Sequence, residues 1–358
     1  MKMMKSKKRL LVVGLLLTIL SGCADKAQME DYSKEQTVSE NIPMASQELF
    51  AMDTYMTVTG YGENCEDAVE AAVIEIQRLE ALFSVGRESS EISVLNRDGT
   101  AVLSEDTAVV IRQALDLYDS TDGAFDISVY PLMKLWGFTT DDCKVPPSDV
   151  LTSTLEYVDA SKIQYDAKTN VARLHSDQGI DLGGIAKGYT SDRIMQIFEE
   201  YDLVSGMVSL GGNVQCYFGK IDDSPWRCGI QDPDDQDALM CVVSVKDKAV
   251  ITSGGYERYF TDEKTGKTWH HILDPKTGYS AESGLVSVTI VSEKGMLADG
   301  LSTAVFIMGL DQSVDYWRKH QDLFDMILVT EEREIYITEG ISDSVSSDYS
   351  FDIIFAEV

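Results

Sequence analysis

The stretch Asp181-Leu182-Gly183-Gly184-Ile185-Ala186-Lys187-Gly188 decides how this chain is read. A glycine pair leads into residues 184–201, which carry apolar side chains at helical spacing. Such a turn offers free N–H groups and the positive end of a helix dipole to an anion. A plain tight turn before a helix has the same appearance. The spacing GxxxxGK[ST] is absent and no GxGxxG occurs, so neither a P-loop nor a dinucleotide-binding βαβ unit has support.

On both sides, long helical patterns are mixed with strand pairs and tight turns. Residues 48–60 alternate as a first strand, with Met52-Asp53-Thr54 inside it. Cys65–Phe83 places Val69, Ala72, Val73, Ile76, Leu79 and Phe83 on one helical face. Residues 105–118 predict a second helix with Ser104 as its N-cap. Hairpins are expected at 163–174, turning at 166–170, and at 259–271, turning at Lys264-Thr265-Gly266. Residues 206–210, 241–245, 249–252 and 286–291 read as strands, 295–308 as a helix, and 326–329 with 334–338 as a closing hairpin. This mixture predicts an α+β fold and not a run of parallel βαβ units.

The N-terminus reads as an address. Lys2, Lys5, Lys7, Lys8 and Arg9 precede a short apolar run, residues 10–20, and Leu20-Ser21-Gly22-Cys23 matches a bacterial lipobox. The expectation is a signal peptide over residues 1–22, lipidation of Cys23, and a lipid-anchored, extracytoplasmic body at the cell membrane or in a periplasm. Residues 23–46 are polar, without apolar periodicity, and read as a flexible tether reaching about 25 Å. The main folded domain is expected over 47–340, with an acidic C-terminal segment at 341–358.

The formal net charge of -30 argues against nucleic acid and anionic lipid as partners, and removing the five basic leader residues makes it more negative still. The acidic run Asp222, Asp223, Asp232, Asp234, Asp235, Asp237 reads as a solvated loop. Of six cysteines, five lie beyond Cys23 with no CxxC pair, so buried free thiols are expected, with room for one disulfide.

Three groups carry chemistry. Asp299 and Thr303 stand at i and i+4 on a predicted helix, so their hard oxygens share a face and suit Mg²⁺. The same spacing also fits a surface carboxylate and a threonine bonded to its own helix carbonyl. Gly123-Ala124-Phe125-Asp126 could stack on and accept from a heterocycle, or form a strand with a core Phe. His271, before Ile272-Leu273-Asp274-Pro275-Lys276-Thr277-Gly278, could take a hydroxyl proton or satisfy a hairpin carbonyl. Ser253 has no GxSxG elbow around it, so a serine hydrolase is set aside.

In order and spacing, 181–188, 271–278 and Asp299-Gly300-Leu301-Ser302-Thr303-Ala304 resemble the ApbE-like flavin transferases, from about residue 50 to 338. The resemblance implies a two-lobed fold of mixed, largely antiparallel sheets with FAD in a cleft between lobes. It implies Mg²⁺ held by Asp299, Thr303 and the Gly184 carbonyl, and FAD contacts from Met52, Ala124, Phe125, Asp126, Asp181, Lys187 and Ile272. It also implies transfer of FMN from FAD to a threonine or serine of extracytoplasmic flavoproteins, subunits of membrane redox complexes, with release of AMP. Two departures stand out. Many members carry glycine at the position of Asp53, and many carry an aromatic residue where this chain has Gly86. An FAD pyrophosphatase and a non-catalytic flavin-binding lipoprotein are the alternative readings.

Overall fold

A computed structural model describes residues 42–140, 142–235 and 237–357. The leader, Cys23 and most of the expected tether lie outside the described residues. Among the described residues no helix is long and apolar enough to cross a membrane.

The fold is α+β, built on a nine-stranded sheet whose spatial order is its chain order. Its strands are β1 (Met44–Ala51), β2 (Thr54–Tyr61), β3 (Ser205–Leu210), β4 (Asn213–Tyr217), β5 (Ala249–Gly254), β6 (Leu285–Ser292), β7 (Asp325–Thr330), β8 (Ile335–Thr338) and β9 (Asp352–Ile354). All neighbours pair antiparallel except β8 with β9. The helices are α1 (Cys65–Phe83), α2 (Glu91–Asp98), α3 (Glu105–Ser120), α4 (Tyr130–Trp136), α5 (Ser148–Leu155), α6 (Ala186–Glu200) and α7 (Gly295–Lys319).

One face of the sheet packs on helices. Met56, Val58, Val208 and Leu210 meet Ala68, Val69, Ala72 and Ile76 of α1 and Ile194 and Phe198 of α6. Ile251, Val288, Ile290 and Leu328 meet Leu301, Ala304 and Val305 of α7. The other face is covered by a three-stranded sheet, Trp226–Gln231, Leu239–Val245 and Val345–Ser346, through Val250, Val291, Ile327 and Val329. Cys216, Cys228 and Cys241 fill this second layer, and with Cys65 they are free thiols. A smaller core around Leu132, Trp136, Phe138, Leu151, Trp269 and Leu273 gathers α4, α5 and the 259–270 hairpin.

Several expectations change. The first strand is two strands: Met52 (φ 47°) and Asp53 (φ 60°) make a left-handed two-residue turn. Glycine adopts that conformation at no steric cost, which accounts for its frequency at the Asp53 position in this group. After Asp126 the chain forms a short 3-10 turn at Ile127–Val129, capped by the Asp126 carboxylate, and not a strand. The helix expected to stop at residue 308 breaks direction at Gly309 (φ 74°, ψ 179°) and then continues to Lys319. Asp232 is not solvated; it is buried and accepts two hydrogen bonds from Arg333, at 2.6 and 2.8 Å. The chain from 341 to 357 rejoins the fold, since Val345–Ser346 extends the small sheet and β9 extends the large one. These strands are too short and too acidic to carry a readable alternation.

Candidate active site

The meander puts four connections at one end of the sheet: Met52–Asp53 between β1 and β2, Gly211–Gly212 between β3 and β4, residues 255–284 between β5 and β6, and residues 331–334 between β7 and β8. Gly211 (φ 62°) has no room for a Cβ, because the Thr54 side chain occupies that space. The β1–β2 and β3–β4 turns are thereby locked together. Helix α6 starts beneath them, and α7 passes antiparallel to it.

Gly188 lets the two helices touch. A Cβ there would meet the Gly295 carbonyl and would lie 2.6 Å from Asp299 Cβ. Close approach brings the Asp299 carboxylate onto the α6 N-terminus. The Gly188 N–H donates to Oδ2 at 2.8 Å and Asn213 Nδ2 donates to Oδ1 at 2.9 Å. Asp299 is only 4% exposed. The anion expected at this helix start is therefore partly supplied by the chain itself, held by charge-assisted hydrogen bonds and the helix dipole. Ser302 Oγ donates to the Asp299 carbonyl at 2.7 Å and is hydrogen-bonded to Ser253 Oγ at 2.8 Å, so the helix turn carrying Thr303 is tied to β5. Thr303 Oγ1 lies 3.5 Å from where a Gly184 Cβ would stand, and the Phe125 ring lies 3.2 Å from the same point. The residues expected to hold Mg²⁺ thus meet at one place.

Their donor set can be judged by its chemistry. Among the described residues no three His, Cys, Asp or Glu side chains group for a metal. One carboxylate, one hydroxyl and one carbonyl are hard oxygens, too few to enclose an ion alone. They fit Mg²⁺, which keeps waters and substrate phosphates in its octahedron.

His271 is linked to this part of the molecule through Lys187, which acts on it electrostatically. Its Nδ1 lies 3.2 Å from the Arg258 carbonyl, which accepts and so fixes the proton on Nδ1. Nε2 is left with its lone pair. Burial, reinforced by the positive charges of Arg258 and Lys187, holds the imidazole down to about 3, so it is neutral at physiological pH. Asp181 caps its own turn, accepting from the Gly183 N–H at 2.8 Å. Burial pushes its carboxyl up, while Lys187 and Arg258 pull it down. Asp181 and His271 keep some accessible surface although protein surrounds them, as expected for groups lining a recess. Lys187 acts electrostatically on Asp181, Glu257 and His271 together, so it sits at the centre of the charged cluster.

The remaining expected residues divide. Met52 is half-buried, with its N–H bonded to Glu80 Oε1 at 2.7 Å and its sulfur 3.9 Å from Thr190 Oγ1. Ile272 is buried beside His271, and Ala124 and Phe125 are buried in the main core. Asp126 is brought near but turned away: Oδ1 accepts from Ser128 N and Oγ, and Oδ2 from Ala160 N. Its carboxylate orders a turn. Gly86 is exposed, with open space beside it.

Two residues escaped the sequence reading. Glu257, pushed up to about 7 by burial and by Asp299 against the pull of Lys187, belongs to the cluster. Arg258 supplies the carbonyl that orients His271, and its guanidinium donates to the Phe138 carbonyl. Both are exposed in a polar stretch after β5, and only the fold brings them beside His271 and Lys187.

Comparison with known proteins identifies the family. The sequence profile of the ApbE family matches residues 52–328. An FAD:protein FMN transferase of Treponema pallidum is 31% identical over 93% of this chain and 94% of its own length. One of Haemophilus influenzae is 30% identical over 77% of this chain and 81% of its own. Among solved structures, an ApbE protein of Thermotoga maritima superimposes with a TM-score of 0.78 at 33% identity, covering 84% of this chain and 99% of its own.

Proposed function

This chain belongs to the ApbE family, and from that premise we propose that it is an FAD:protein FMN transferase, with Mg²⁺ required and an acceptor threonine or serine as nucleophile. The observation that supports the reading is a neutral histidine acted on by Lys187, whose chain neighbour Gly188 fixes the Asp299 carboxylate on a helix N-terminus.

Asp299, Thr303 and the Gly184 carbonyl would hold Mg²⁺, which when bound neutralises pyrophosphate charge and makes phosphorus more electrophilic. Gly188 and Asn213 keep the Asp299 carboxylate oriented toward that task. Lys187 and Arg258 attract the anionic pyrophosphate into the recess. The hydroxyl oxygen of the acceptor attacks the phosphorus bearing the FMN half of FAD. Its proton goes to His271 Nε2, the bond from that phosphorus to the bridging oxygen breaks, and AMP departs with the bond's electrons. Bound pyrophosphate offsets the positive charges that depress His271, so the imidazole becomes more basic when the substrate is in place.

The lipobox at Cys23 supports a lipid-anchored enzyme working outside the cytoplasm, where its acceptors would be flavoprotein subunits of membrane redox complexes. The test is the intact mass of a candidate acceptor domain after incubation with the chain, FAD and Mg²⁺. A Mg²⁺-dependent gain of one FMN is expected. AMP and free FMN in solution without that gain would replace the reading with a pyrophosphatase. FAD left intact across several acceptors would make the chain a flavin-binding protein.

A further inference from the structure

The two edges of the nine-stranded sheet are guarded very differently. β9 is three residues long and opens on Asp352. β1 runs Met-Ala-Ser-Gln-Glu-Leu-Phe-Ala, pairs with β2 in eight uninterrupted positions, and among the described residues has no strand on its outer side. It holds no Pro, no Lys and no bulge, the devices that usually keep a long edge from pairing. Its only charge is Glu48.

Both faces beside this edge are open and carry apolar side chains. On the helix side, a groove of about 520 Å³ runs between β1 and α1, where Ala45, Val69, Val73 and Ile74 are flanked by Glu66 and Glu70, with Ile74 58% exposed. On the other side stand Phe50, 62% exposed, and Tyr55, 81% exposed, their rings edge to face at 5.2 Å. Two such aromatics left in water are unusual, and aromatic anchors dominate protein interfaces. The edge also leads to the chemistry: β1 ends at the turn bearing Met52 and Asp53, and Asp53 acts electrostatically on Asp181.

We propose that an extended segment of the acceptor protein docks as an added strand on β1, its alternate side chains entering the α1 groove and resting on Phe50 and Tyr55. The proposal rests on the transferase reading, which requires a polypeptide at the mouth of the recess. About eight residues would span the roughly 26 Å of the edge. Backbone pairing gives affinity without demanding one sequence, and the two apolar faces select for alternating apolar residues. Other occupants, a second copy of this chain or its own N-terminal residues, would block acceptor entry instead of directing it.

The experiment is a steady-state titration of the full chain in detergent with an acceptor domain that the wild type flavinylates. Ile74→Glu and Tyr55→Ser alter exposed side chains on opposite faces of the edge. Each should raise KM for the acceptor at least tenfold, leaving KM for FAD and kcat at saturating acceptor within twofold. Phe218→Ser, an exposed change at the far end of the sheet, should alter neither. Unchanged acceptor KM in both edge variants overturns the proposal. So does a wild-type dimer in sedimentation that either edge variant makes monomeric, because the edge then belongs to a second copy. A wild type that binds FAD but flavinylates no acceptor removes the transferase reading, and the docking proposal with it.

Discussion

The two ends of the nine-stranded sheet differ in how they are closed. At the far end, connections are tied by backbone–backbone bonds: Gly62 N to the Pro43 carbonyl, Val204 N to that of Tyr61, and Asp247 N to that of Phe218. These bonds satisfy the chain and leave little for a ligand. At the site end, side chains take part in satisfying the polar groups. Asp299 takes hydrogen bonds from Gly188 and Asn213, and the Arg258 carbonyl serves both the backbone N–H and the ring of His271. An end closed by side chains from separate elements is preorganised and charged, which suits electrostatic stabilisation of a reacting phosphate. It also depends on every one of those elements being in place.

The largest effect that could break this contrast comes from Asp299. Asp299→Ala should lower FMN transfer by about a thousandfold or more, the scale expected when a metal's charge stabilisation is lost, while FAD still binds. Rates by acceptor mass and FAD binding by fluorescence separate the two. If transfer survives, the carboxylate on the α6 N-terminus is only a structural clasp. Next is His271→Ala, expected to lower kcat by about 10² to 10⁴ with FAD affinity within twofold, as for loss of a general base. A fall in FAD affinity alone would make the imidazole a binding group.

Gly188→Ala tests the helix contact beneath both. A Cβ in that crossing has to push α6 off α7, which should cost about 1–3 kcal/mol in stability, read as a lowered Tm. Gly266→Ala, where a Cβ meets open space at φ 71°, should cost less, and the difference measures how tightly the site end is packed.

The smallest effect concerns pH. His271 is held at about 3 in the folded chain against an ordinary value near 6.5. As pH falls below about 6.5, the unfolded chain binds a proton that the folded one refuses, so stability is complete above that value and declines toward about 3. The drop in Tm from pH 7.5 to 5.0 should therefore be smaller in His271→Gln than in the wild type. An equal or larger drop would mean that the imidazole is not desolvated in the recess.

Long periodic elements were legible from the residues alone. Cys65–Phe83 matches α1 at both ends, Ser104 caps α3, and the 166–170 turn joins strands Gln164–Asp166 and Val171–Arg173. Each is decided by local spacing, capping or turn chemistry, which the tertiary structure did not override. The β1–β2 turn was missed because Met52 and Asp53 lack the glycine that usually marks positive φ. The short elements α2, α4, α5 and β9 bury too few residues to leave a pattern.

For the site, the sequence by itself determined the family, the candidate metal residues and His271, because these lie in contiguous motifs whose spacing is fixed by a helix or a tight turn. Only the tertiary structure decided that Asp126 spends its carboxylate on Ser128 and Ala160, that Glu257 and Arg258 lie beside Lys187 and His271, and that β1 presents an unguarded edge. The physical reason is distance along the chain. Gly188 and Asp299 are separated by 111 residues, and Asn213 and Asp299 by 86. Bonds of that range follow from how sheet and helices pack, and no local property of either partner records them.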